Sequence, residues 1–141
     1  AIVSASTIFN KNIIISADYE IIDYTFSEMN SYDYAFETEN DAIKNTYTQA
    51  ANIRLGAEVN IKPFILRSGY SKYGSALANK DLSRENFSFG LGLNNGGYFF
   101  DVAYVLSQGM DEHKLYSEDY IAPVSLVNTN HNLIFTLGFR Y

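Results

Sequence analysis

The chain has 141 residues, one domain's worth, of which 47 % are apolar and 16 % aromatic, the rings being 12 Tyr and 10 Phe. The absence of cysteine excludes disulfides and thiolate metal sites, and the net charge of -6 argues against nucleic acid, whose phosphates demand a basic surface. No apolar run approaches the ~20 residues of a transmembrane helix, a test that transmembrane strands escape because they alternate.

The first predicted hairpin sets Val3, Ala5, Thr7 and Phe9 before Asn10-Lys11-Asn12 and Ile13, Ile15, Ala17, Tyr19 and Ile21 after it. A three-residue loop with an Asn in the left-handed region aligns the two apolar sets. Ser16, Asp18 and Glu20 then share the opposite side. The second hairpin alternates Ile53, Leu55, Ala57, Val59 and Ile61 with Asn52, Arg54, Gly56, Glu58 and Asn60. With Lys62-Pro63 as its turn, Val59 faces Leu66, Leu55 faces Tyr70, and Glu58 falls opposite Arg67. The alternation alone did not require that last pair to be of opposite charge.

The third hairpin runs through Phe87, Phe89, Leu91 and Leu93, a turn at Asn95-Gly96, and a return through Tyr98, Phe100, Val102, Tyr104 and Leu106. A two-residue turn there predicts Leu93 opposite Tyr98 and Phe87 opposite Tyr104. The last strand carries Leu133, Phe135, Leu137, Phe139 and Tyr141 at every second position up to the final residue. That run resembles the C-terminal recognition signal of bacterial outer-membrane barrels, which ends in an aromatic residue preceded by alternating apolar ones.

About seven strands result, near 1–9, 13–26, 48–61, 64–73, 85–94, 97–108 and 131–141. The expected class is all-β, an antiparallel up-and-down meander. Tight turns follow the first, third and fifth strands, and long segments near 27–47, 74–84 and 109–130 follow the second, fourth and sixth, the first and last of them acidic. Within the first of these, Asp41 to Asn45 has the composition of a helical turn. Tight turns at one end and long loops at the other are the asymmetry of outer-membrane barrels. With the short turns on the periplasmic side, the first strand runs inward and Ala1 lies outside. Single-chain bacterial barrels have even strand numbers, so the odd count predicts the C-terminal part of a larger barrel whose export signal lies elsewhere.

Two stretches carry a family resemblance: Ile43-Lys-Asn-Thr-Tyr-Thr-Gln-Ala-Ala-Asn-Ile-Arg-Leu-Gly-Ala-Glu58, continuing through Pro63-Phe-Ile-Leu-Arg-Ser-Gly-Tyr70, and Ile15-Ser-Ala-Asp-Tyr-Glu-Ile-Ile-Asp-Tyr24. They resemble the C-terminal half of the outer-membrane long-chain fatty acid and aromatic hydrocarbon transporters. The resemblance implies a fourteen-stranded transmembrane barrel with an N-terminal hatch, placed in the bacterial outer membrane and taking up hydrophobic small molecules. Its implied partners are outer-membrane lipid, the barrel assembly machinery engaging the terminal strand, and the hydrophobic substrate. No ligand residue of the family transfers onto these positions.

Catalytic chemistry is not suggested. His113 and His131 lack metal-ligand spacing and read as solvated side chains, and no nucleophile elbow is present. Gly90-Leu-Gly92 precedes a strand rather than a helix, which rules out a dinucleotide loop. No cofactor or metal is expected. The constellation of interest is Asp18, Glu20, Arg54, Glu58, Arg67, Asp101 and Arg140, which period two places on one face, pointing into the lumen. Cross-lumen ion pairs that stiffen the wall are favoured over ligand contacts for this set. Tyr24, Phe26, Tyr70, Tyr73, Tyr98 and Tyr104 lie near strand ends and suit interfacial girdles. Two other classes are a structural or adhesive barrel without transport and a soluble β-sandwich. The sandwich requires Phe87, Phe89, Phe100, Phe135 and Phe139 to be buried. An isolated seven-strand piece, with two open edges, is expected to self-pair, aggregate or need detergent.

Overall fold

A computed structural model describes residues 1–113 and 124–139. Seven antiparallel strands form a single sheet in chain order: β1 (Ile2–Phe9), β2 (Ile13–Asp23), β3 (Gln49–Ile61), β4 (Phe64–Tyr73), β5 (Arg84–Asn94), β6 (Tyr98–His113) and β7 (Val124–Phe139). Each strand pairs only with its sequence neighbours, so the meander is open and β1 and β7 are its two edges.

The turns follow from local chemistry. Phe9 pairs with Ile13 across the loop 10–12, where Asn10 and Lys11 take left-handed φ values of 47° and 60°. At Lys62-Pro63 the register is the one expected, with Val59 on Leu66, Leu55 on Tyr70 and Glu58 on Arg67. The third hairpin differs from expectation. Leu93 lies opposite Phe100 and Phe87 opposite Leu106, a shift of two residues. A two-residue turn of the expected kind needs positive φ at both central positions, and here only Gly96 has it, at 76°. The loop therefore widens to 95–98, closed by Asn95 N–H donating to the Tyr98 carbonyl at 3.1 Å. An even shift preserves facing, so the apolar set stays together.

The long connections also depart from expectation. Tyr24–Phe26 is a 3₁₀ turn and not strand, because the Asp23 carboxylate caps it by accepting from Thr25 N–H at 3.0 Å. The predicted helical turn at 41–45 is a ten-residue helix, α1 (Glu37–Thr46), with Glu37 and Glu39 at its positive end and Lys44 at its negative end. Of the segment expected as a loop from 109 to 130, the described residues 109–113 and 124–130 are sheet: β6 and β7 are paired from Tyr98↔Phe139 through His113↔Val124.

Parity divides the sheet into two faces. One carries Phe9, Ile15, Ile53, Leu55, Leu66, Phe87, Phe89, Leu91, Phe100, Val102, Leu133, Phe135, Leu137 and Phe139. The other carries Ser4, Ser16, Asp18, Glu20, Asn52, Arg54, Glu58, Arg67, Ser71, Asn86, Asp101 and Asn130. No second layer covers either face within the described residues; only at Ala50 and Asn52 does the connection beginning at Gly74 close over the sheet. Among them Ala50 and Ile65 are the only buried apolar side chains, and Asn52 the only buried polar one. Phe87, Phe89, Phe100, Phe135 and Phe139 are between 39 % and 71 % exposed, which overturns the sandwich expectation. The accessible surface is 10634 Å², against about 7,400 Å² for a self-contained globule of this mass. The sheet is one layer without a core.

Candidate functional site: the polar face

Cross-strand register arranges the polar face in rows running across the strands. Toward the long connections, one row holds Glu20, Asn52, Tyr73, Arg84, Gly109 and Asn128, and the next holds Ser4, Asp18, Arg54, Ser71, Asn86, Ser107 and Asn130. A row of mostly small residues follows: Ser6, Ser16, Gly56, Gly69, Ser88, Val105 and Asn132. Toward the short turns, Ile8, Ile14, Glu58, Arg67, Gly90, Ala103 and Ile134 share a row.

Six of the seven expected site residues lie on this face, in two groups. In the first, the Arg54 guanidinium donates to the Glu20 carboxylate at 2.6 Å, and the buried Asn52 amide donates to the same oxygen at 3.1 Å. Asn52 also accepts from Gly74 N–H at 3.2 Å, tying the row to the connection 74–83. Asp18 sits opposite Arg54 without a hydrogen-bond or ion-pair partner among the described residues. In the second group Arg67 bridges two acids, Glu58 on β3 and Asp101 on β6, each at 2.8 Å. Asp101 is two strands from Arg67, about 10 Å in strand spacing. The reach crosses β5 at Gly90 and Gly92, and a Cβ on Gly92 would run into the Asp101 carboxylate. Glycine there clears the path of the guanidinium. Arg140 lies outside the described residues, as does Tyr141 of the terminal run.

Several partners were not expected. Tyr73, assigned from its strand-end position to a girdle, belongs instead to the polar face, since Arg67, Gly69, Ser71 and Tyr73 share parity. The Arg54 and Arg84 guanidinium carbons lie 5.5 Å and 5.0 Å from its ring centroid. Asn86 links β4 to β6, donating to Ser71 Oγ at 2.9 Å and accepting from Ser107 Oγ at 2.5 Å. Tyr24 and Phe26 lie in the 3₁₀ turn, while Tyr70, Tyr98 and Tyr104 do stand on the apolar face. His131, read as solvated, is in β7 with its Nδ1 2.6 Å from the Tyr104 hydroxyl.

The apolar face ends in polar residues near the long connections. Lys72 pairs with Glu85 at 2.8 Å, and Gln108 and Thr129 continue that row. Beyond it Lys80 pairs with Glu112, and Ser83 donates both side chain and backbone to Asp81, which holds that carboxyl below the usual carboxylate range. A shallow groove of about 500 Å³ crosses the apolar face over Ala57 and Ser68, between Leu66, Phe89 and Leu91. Among the described residues no group of His, Cys, Asp and Glu is spaced to hold a metal ion.

Comparison with protein-family models, curated proteins and solved structures returned no match for this chain.

Proposed function

We propose that this chain is the C-terminal half of a fourteen-stranded outer-membrane barrel that takes up hydrophobic small molecules, long-chain fatty acids being the model substrate. One observation carries the reading. A single-layer meander exposes a broad, mostly apolar face, and its opposite face is mostly polar and ion-paired. In water such a sheet leaves about 3,000 Å² more surface exposed than a globule of its mass. Between lipid and a lumen, both faces meet the solvent they suit. On β6 the apolar run from Tyr98 to Leu106 approaches the ~9–11 residues of a tilted crossing. The Lys72–Glu85 row then falls at the interface, where charge is tolerated.

Strand direction bears on closure. In an antiparallel meander of seven, β1 and β7 run the same way. Two copies related by a rotation about the barrel axis would therefore meet in parallel seams. A further segment with an odd number of strands closes the barrel with antiparallel seams throughout, as the fourteen-stranded reading has it.

The polar face suits passage of amphiphiles. Ile8, Ile14 and Ile134 are exposed beside the Arg67 group, and the row above them is mostly small. A structural or adhesive barrel needs no such space and would gain from complete ion pairing, whereas Asp18 and Arg84 have no ion pair among the described residues.

The test is uptake of a fluorescent long-chain fatty acid by vesicles holding the folded barrel. Flux well above empty vesicles is expected. Proven insertion with no added flux overturns uptake and leaves the structural barrel.

A further inference from the structure

Among the described residues, Arg84 is the polar-face cation that the ion pairs leave out. Arg54 has Glu20, Arg67 has Glu58 and Asp101, and on the apolar face Lys72 has Glu85. Arg84 is exposed and has no acidic partner among the described residues, in a chain whose net charge is -6. Its guanidinium is nevertheless held, 5.0 Å from the Tyr73 ring centroid, with that of Arg54 at 5.5 Å from the same ring. Two cations thus share one aromatic ring while a single carboxylate, Glu20, serves the pair.

Resting on the uptake reading above, we propose that Arg84, seated on Tyr73 beside Arg54, is the lumen docking point for the anionic headgroup, carboxylate or phosphate, of an amphiphilic substrate. The planar guanidinium fork matches both headgroups, binding two oxygens at once, and ring contact pre-orients it. On the side away from Tyr73, Gly109 faces Arg84 across β5 and β6 and carries no side chain; a Cβ there would reach only the aliphatic stem of Arg84, at 3.8 Å and 4.0 Å. Beyond it Asn128 offers an amide in the same row. The small row past Arg54, with Gly56, Gly69 and Ser88, leaves room for the rest of the molecule.

The test measures binding of octanoate and octyl phosphate, with octanol as the neutral control, to the folded barrel in dodecyl maltoside by titration calorimetry. At least one of the two anions should bind more tightly than octanol, and the one that does identifies the headgroup. Arg84→Gln should weaken that anion about tenfold or more, while octanol is unchanged and heat-modifiable migration shows the variant folded. Should Arg84→Gln fail to fold, the unaltered protein decides: anion affinity should fall several-fold between about 20 and 300 mM salt, and octanol affinity should not. Equal affinity for anions and octanol, or anion binding indifferent to Arg84 or to salt, overturns the assignment. Such a result leaves the barrel and its uptake of neutral hydrocarbons standing.

Discussion

A single missing side chain lets Arg67 reach across a whole strand. Arg67 spans β5 to Asp101 because Gly92 offers nothing to block the carboxylate. Gly92→Ala should displace Asp101 from Arg67, a cost of about 0.5–1 kcal/mol for so exposed a pair. Gly97→Ala is the matched control: its added Cβ meets nothing within 4 Å. Urea unfolding of the protein in lipid vesicles should separate the two, and equal stabilities would contradict the account. At this scale the sequence was partly legible. The opposition of Glu58 and Arg67 followed from hairpin register, since a short turn leaves few alternatives. The place of Tyr73 was equally available from parity, but its aromatic ring near a strand end suggested an interface instead. Arg84 lay one residue before the expected start of β5, and strand ends are where periodicity gives least information.

Hairpins were legible where apolar residues alternate and illegible where they do not. All seven strands were expected, and two of the three short turns fell in the right register. The third slipped by two because Asn95 does not take the left-handed conformation that a two-residue turn demands. The upper half of the β6–β7 hairpin lacks a strand signal in the sequence for a related reason. From Gln108 to His113 and from Val124 to Asn130 the alternation is between polar residues and scattered apolar ones, so no face stands out. Backbone pairing continues regardless, braced by Met110 N–H donating to the Ser83 carbonyl at 3.2 Å and by the Lys80–Glu112 pair. Amide exchange by mass spectrometry should show residues 109–113 and 124–128 exchanging at least about tenfold more slowly than 27–33. Lys80→Ala should speed exchange at 110–113. Rates in the hairpin matching those of 27–33 would restore the loop.

For the whole molecule the governing fact is that two faces of one sheet have opposite character and no second layer covers either within the described residues. Composition is blind to this, because 47 % apolar content is ordinary for a globule. Parity reveals it, and the structure adds that no second layer forms within the described residues. The barrel reading turns that fact into a pattern that can be measured along each strand. The chain has no cysteine, so single cysteines carrying a spin label can be placed at Leu66, Ser68, Phe89 and Leu91 on one face and at Arg67, Ser88, Gly90 and Asp101 on the other. In vesicles, relaxation by oxygen, which concentrates in lipid, and by a water-soluble nickel chelate should alternate residue by residue. The first four sites should be oxygen-accessible and the second four accessible to the chelate. Uniform chelate accessibility at all eight, in a chain that stays monomeric and cooperatively folded without detergent, would contradict the membrane barrel.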